Sequence, residues 1–194
     1  MSAAGGIVAG RPDSERLDAM LRVAGSAELI YDHSGSTLDP ASGRPVHRQE
    51  RVLGHGDRCF TAAVDGLRSW ACHVGIGALV HPADAPIEVG VTELVVLPAG
   101  PVSIVVPNRI VAVVDELDRF GFAYGTLEGH QEAGEESFVV ERRPDDSVVA
   151  TIAVDARPAT WLTRVGAPAA AVLQRRAIRG YLRGLQHHVE GRRR

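Results

Sequence analysis

The chain has 194 residues, 45% hydrophobic and 23% charged, with 21 basic side chains, all of them arginine, against 24 acidic ones. An apolar share this large, without low-complexity or collagen-like repetition, excludes a disordered or fibrous chain, and a chain of this length buries roughly 70% of its unfolded surface unaided by disulfides or metals. The net charge of −3 hides a split, −11 over residues 1–156 and +8 over residues 157–194. Arg, Ala, Gly and Val are abundant together, so the absence of lysine reads as codon bias. Residues 1–10 carry no charged n-region or long apolar core, and no apolar run reaches the roughly 18 residues of a membrane span. A cytoplasmic location is expected.

Residues 13–24 place apolar side chains at Leu17, Met20, Leu21 and Ala24, a helical spacing with Asp13 or Ser14 as N-cap and Gly25 as stop. A short β-like piece over 27–32 runs into the turn-rich HSGSTLDPASGRP, and residues 47–53 read as a strand. Gly54 and Gly56 end it, and Asp57 opens a helix expected over 58–72 with Phe60, Ala63, Val64, Leu67 and Ala71 on one stripe. Cys59 and Cys72 would lie about 20 Å apart on that helix, too far for a disulfide, and two free thiols suit a reducing compartment. Residues 73–88 read as irregular. Strands are expected at 91–97, 102–106, 109–116, 119–127, 135–143 and 147–156, with turns short enough to demand an antiparallel meander. A long helix over about 159–189 closes the chain, with a break near Gly166–Pro168. Leu173, Ala177, Ile178, Tyr181, Leu182 and Leu185 share one of its faces, and Arg175, Arg176, Arg179 and Arg183 the opposite one.

This order is α+β: a short N-terminal helix, a curved antiparallel β-sheet, and a long C-terminal helix that covers the apolar face of the sheet. A sheet gripping one helix leaves a cavity that suits a small apolar ligand. We divide the chain into an extension at 1–26, a single domain at 27–189 and a basic tail at 190–194.

Several stretches resemble a known family: YDHSGST (31–37), LGHG (53–56) with F…A…L..W to residue 70, VVDELDRFGFAYGTLEGHQEAGEESFVVE (113–141), and ARPATWL, GAP, LQRR and YLRGL between 156 and 185. Together they are similar to a bacterial and plant domain-of-unknown-function family, also found fused to YndJ-type membrane proteins, over roughly 27–186. The resemblance implies a START-like helix-grip fold and no established chemistry. The family usually carries Ser-Arg-Pro before the last helix, and Ala156-Arg157-Pro158 lacks that serine.

The loop from Gly125 to Phe138 gathers His130, Glu132, Glu135 and Glu136. A histidine beside carboxylates can be a general base whose pKa the acid raises, and the same types could hold a metal. A plain hairpin loop with solvated acids is the stronger alternative. Arg109, beside Asn108 and near Tyr124, could fork onto a ligand carboxylate, or pair with Glu93 or Asp115 at an edge. Tyr31, Asp32, His33 and the hydroxyls after them lack a nucleophile elbow and read as a turn cap. Cys72-His73 is a poor nucleophile pair because helix neighbours diverge by about 100°. His187 and His188 read as surface. The arginine face has no aromatics for nucleic acid and reads as neutralising the acidic body, with an anionic membrane surface as a lesser reading.

The leading expectation is a binding protein for a small apolar molecule, with no metal or cofactor and no nucleic-acid partner. Phe122, Tyr124, Ile152, Leu173 and Tyr181, with Val111, Val113 and Ala177, would line or support the cavity, and Arg109, His130 and Glu135 would be its polar handles. The alternatives are a cyclase-, isomerase- or hydrolase-type enzyme using His130 as base with Glu132 or Glu135 orienting it, and an accessory docking through the arginine face.

Overall fold

The apolar, β-branched stretches from position 92 onward do build strands that pair with their chain neighbours. The computed structural model describes residues 4–39, 42, 44, 46–158 and 167–192, with the side chains of 158 and 167–173 outside that description. Among the described residues one antiparallel sheet contains β1 (Gly6–Ala9), β2 (His47–His55), β3 (Leu79–His81), β4 (Thr92–Ala99), β5 (Val102–Glu116), β6 (Arg119–Thr126), β7 (Glu132–Arg142) and β8 (Ser147–Pro158). The spatial order is β2-β8-β7-β6-β5-β4-β3, with β1 added beside β5. The helices are α1 (Ser14–Gly25), α2 (Asp57–Arg68), α3 (Ala71–Val74) and α4 (Ala167–Arg192).

The two strands expected at 102–106 and 109–116 are one, because Pro107 falls where β5 needs no ladder donor. On one edge of β5, β6 pairs from Asn108 onward and β1 pairs from Val105 back, so Pro107 occupies the junction between them. A bulge between Ile110 and Ala112 then switches which residues face inward. Before it Val106 and Ile110 face the core, and after it Val113 does.

Two cores lie on opposite faces of the sheet. The inner one joins Phe120, Phe122, Phe138, Val140, Ala150 and Ile152 to Leu67, Trp70, Ile178, Leu182 and Leu185 from the helices. The outer one places Leu17, Met20 and Ala24 of α1 on Leu94, Val96, Val105 and Leu127. Asp13 caps α1 by accepting from the Arg16 amide at 2.9 Å.

Three further expectations change. The helix expected over 58–72 is two helices, broken at Trp70, whose backbone is left-handed (φ 57°). That turn sends the indole into the core, where its Nε1 donates to the Ala85 carbonyl at 3.0 Å. The stretch read as irregular supplies β3, paired with β4. No strand forms at 27–32 beyond a single bridge of Leu29 to Leu127, because the chain there crosses the outer face. Of the terminal helix, residues 159–166, with the expected break at Gly166, lie outside the described residues; α4 holds Pro168 in its first turn, where a missing N–H needs no partner.

The arginine face does not neutralise the body by contact. Arg175, Arg176, Arg179 and Arg183 are exposed, and among the described residues none is ion-paired; Arg179 donates to the Arg175 carbonyl. The helix packs through its other side, and β4 to β8 curve beneath it as a helix grip. No helix of the described residues is long and apolar enough to cross a membrane.

Candidate functional site

Alternation along β7 sends its two adjacent glutamates to opposite faces. Glu136 shares the inner face with Phe138 and Val140, whereas Glu135 points outward. The Glu135 carboxylate is 2% exposed and accepts four hydrogen bonds from the 31–37 loop: Tyr31 hydroxyl at 3.0 Å, Gly35 amide at 2.6 Å, and Thr37 amide and hydroxyl at 2.8 and 2.5 Å. Gly125 leaves room for the Tyr31 ring, since a Cβ there would run into it. Glu135 is therefore the anchor of an outer loop, which takes up both of its carboxylate oxygens, although the residue also borders the pocket between the sheet and α4. Tyr31, Ser36 and Thr37 belong to that turn.

On the inner face four neighbouring strands place polar groups in a row: Glu93 on β4, Asn108 opposite it on β5, Tyr124 on β6 and Glu136 on β7. The Tyr124 hydroxyl donates to Glu136 Oε2 at 2.7 Å and lies 3.2 Å from His73 Nε2 of α3. With Tyr124 as donor to Glu136, its oxygen accepts from His73 Nε2–H, which leaves His73 Nδ1 as a buried, unpaired acceptor. Tyr181 of α4 lies over this row, with its ring 5.0 Å from His73 and 5.4 Å from Phe138. Glu93 is 0% exposed and neither carboxyl oxygen has a hydrogen-bond partner, nor does Asn108 Oδ1.

Burial without a cation sets the ionisation. It pushes Glu136 up to about 7, partly opposed by the Tyr124 hydrogen bond, and Glu93 up to about 8, partly opposed by the Asn108 amide. It pushes His73 down to about 3. Cys72, beside His73, is held as a thiol by burial and by Glu136, so the pair supplies no nucleophile.

A pocket of about 370 Å³ opens above this row, between the sheet and α4. Val95, Leu97, Ile104, Val106, Val154 and Ala177 form its apolar sides, and Asn108, Tyr124, His130, Glu132, Glu136 and Tyr181 its polar parts. A second groove, of about 530 Å³, crosses the outer face, where Arg142 pairs with Asp118 at 2.7 Å and Arg119 donates to the Leu38 carbonyl. Among the described residues, the inner pocket is lined by Asn108, whose Oδ1 is unsatisfied, and the outer groove by no such group.

Of the residues singled out in the sequence, the structure brings Asn108, Tyr124, His130, Glu132, Glu135, Glu136, Ala177 and Tyr181 to this pocket, Glu135 with its carboxylate oxygens held by the 31–37 loop. Phe122 and Ile152 lie beneath it as packed core; Phe122 stacks on Phe138 with centroids 5.3 Å apart. Val113 packs against the same core and Val111 is the bulge residue. The Leu173 side chain lies outside the described residues. Arg109 is on the outer face, where it donates to Thr92 Oγ1 and to the Ala24 and Gly25 carbonyls, so it tethers the end of α1. His130 Nδ1 accepts the Glu132 backbone amide at 2.9 Å, and burial pushes its pKa down to about 4. The acid-raised imidazole expected from the loop is thus absent, and the ring is neutral with its proton on Nε2. His188 is only half exposed and packs beside Gly66 rather than standing free. Among the described residues no group of three or more His, Cys, Asp or Glu is placed to hold a metal.

In the sequence Glu93 stands only as a possible partner of Arg109, Asn108 only as its neighbour in a candidate site, and His73 only as the partner of Cys72. Parity with the core residues Val95 and Val106 would have placed Glu93 and Asn108 on the inner face; nothing in the sequence brings α3 over β6.

Comparison with known proteins fits this geometry. A family model described as a domain of unknown function, DUF1990, matches residues 30–184. A UPF0548 protein of Deinococcus radiodurans is 34% identical over 170 residues, covering 82% of this chain and 84% of its own length. A UPF0548 protein of Arabidopsis thaliana is 26% identical, covering 93% of this chain and 96% of its own length. Among solved structures, a hypothetical protein of Helicobacter pylori superposes with TM-score 0.60 at 11% identity, covering 84% of this chain and 98% of its own. A norcoclaurine synthase of Thalictrum superposes with TM-score 0.52 at 15% identity, covering 77% and 96%. At such identities the likeness is one of fold.

Proposed function

This chain belongs to the DUF1990 family, and for this member we propose that it binds a small, largely apolar molecule in the pocket between the sheet and α4. The observation that supports this most is the pairing of apolar walls with a buried polar end: Val95, Leu97, Val106 and Ala177 can take a hydrocarbon body, while Tyr124, Glu136 and Asn108 fix one head group. The helix-grip scaffold suits it, because the curved sheet and the helix diverge where α4 carries Ala177. Native mass spectrometry of protein purified from its host should show a co-purifying small molecule. The Ala177→Trp variant, which fills the pocket, should lose that molecule while remaining folded. Retention of the molecule by that variant would count against the site, and an empty protein that takes up no apolar probe would count against the function.

A catalytic reading draws on a different group from the one the sequence suggested. Glu136, rather than His130, has a pKa near neutrality and a hydrogen-bonded partner in the pocket, as proton transfer near pH 7 requires. Glu136→Gln should then abolish turnover of any molecule recovered from the pocket even at concentrations that saturate the pocket.

A further inference from the structure

The head-group end of the pocket has a definite chemical polarity. Among the described residues that line it there is no arginine, and both histidines nearby are neutral. The carboxyls of Glu132 and Glu136 face it, and Glu93 lies behind Asn108 on the next strand. Tyr124, the central hydroxyl, already directs its proton to Glu136. Independently of those acids, the Asn108 side chain is 1% exposed, lines the pocket, and leaves Oδ1 as an acceptor without a donor. An unpaired buried acceptor beside carboxyls calls for hydrogen-bond donors and positive charge.

Given that the pocket holds a ligand, as proposed above, we propose that this ligand carries a protonated nitrogen, seated between Glu136 and Asn108, with its apolar body along Val95, Leu97 and Val106. An ammonium group presents donors only, so it satisfies Asn108 Oδ1 and a glutamate oxygen together. The faces of Tyr124 and Tyr181 add a favourable electrostatic wall. A ligand carboxylate would instead stand against acids with no cation among the described residues to receive it, and a neutral alcohol would leave the carboxyl charge uncompensated.

The pH dependence follows from the groups around Glu136: Glu132 on its own strand, Tyr124 on β6, Glu93 on β4, Cys72 and His73 on α3, Tyr181 on α4 and His130 in the adjoining loop. With Glu136 titrating at about 7 and none of these positively charged at that pH, a cationic ligand binds more tightly as pH rises from 6 to 8, and an anionic one less tightly.

The test uses the full chain and three probes with one body: octylammonium, octan-1-ol and octanoate, measured by calorimetry at pH 6 and pH 8. Octylammonium should bind at least about tenfold tighter than the other two at pH 8, with a smaller margin at pH 6. Glu136→Gln should reduce that preference to about threefold or less by weakening octylammonium most, with a cooperative thermal unfolding transition showing that the variant is folded. If that variant does not fold, Asn108→Leu should likewise weaken octylammonium most, and the wild-type pH series decides independently. Octan-1-ol or octanoate binding as tightly as octylammonium would overturn the charge preference and leave the pocket standing. Failure of all three to bind would overturn the pocket itself.

Discussion

Glu135 and Glu136 are one bond apart in sequence and do unrelated work. The difference is readable in principle: residues 136, 138 and 140 share a face, and Phe138 and Val140 mark that face as core. Treating the loop as a cluster of nearby acids ignores that parity, and so misses that the Glu135 carboxylate anchors the 31–37 loop. The hydrogen bonds to it could not be read, because they come from residues about 100 positions away. Glu135→Gln turns one accepting oxygen into a donor facing donors, and it should destabilise the protein by about 2–3 kcal/mol in urea titrations. The same change should make the 31–37 loop the first site of limited proteolysis. His130 offers a contrasting check. Its imidazole resonances should stay those of a neutral ring from pH 8 down to pH 5, since it titrates at about 4.

Most elements were legible because each strand between 92 and 158 is rich in β-branched, aromatic or other apolar residues and each turn is short. What the sequence concealed were the places where a tertiary contact overrides local preference. Trp70 adopts a left-handed backbone only because its ring is buried by strands and helices distant in the chain. The α3–α4 crossing has the same character. Gly184 lies so near α3 that a Cβ there would meet the Ala71 carbonyl and Gly75 Cα at 2.8 Å, which is closer than real contacts allow. Alanine normally favours a helix interior over glycine by about 1 kcal/mol. Gly184→Ala should nonetheless destabilise by about 1–3 kcal/mol, because backbone on the facing helix must move. Gly191→Ala, with open space around it, should be neutral or stabilising by up to about 1 kcal/mol. Thermal denaturation of the two variants side by side separates crowding from propensity.

For the molecule as a whole, the charge split of the sequence is real but is not resolved by pairing, since the arginines of α4 face solvent. Replacing Arg175, Arg179 and Arg183 with Gln should therefore change stability by no more than about 0.5 kcal/mol, a result that chemical denaturation can check. The buried charges matter more. Glu93 and Glu136 have folded pKa values raised from 4.5 to about 8 and about 7, so their contribution is complete below pH 4.5 and is lost as pH rises toward those values. His73 and His130 are depressed from 6.5 to about 3 and about 4, so theirs is complete above pH 6.5 and is lost on acidification. The two pairs oppose each other between about pH 4.5 and 6.5, which gives a plateau. Above it stability should fall by up to about 1.4 kcal/mol per pH unit for each glutamate still protonated. Glu93→Gln should remove its share of that slope, and an unchanged slope in that variant would contradict the assignment. The adjacency on β7 has a further consequence. The backbone that aims Glu136 into the pocket is clamped from outside by the loop that grips Glu135, so the sheet acts as a diaphragm one residue thick between them. Substitutions in an exterior loop that touches no ligand should retune affinity inside, and a search for variants with altered selectivity has reason to begin at residues 31–37.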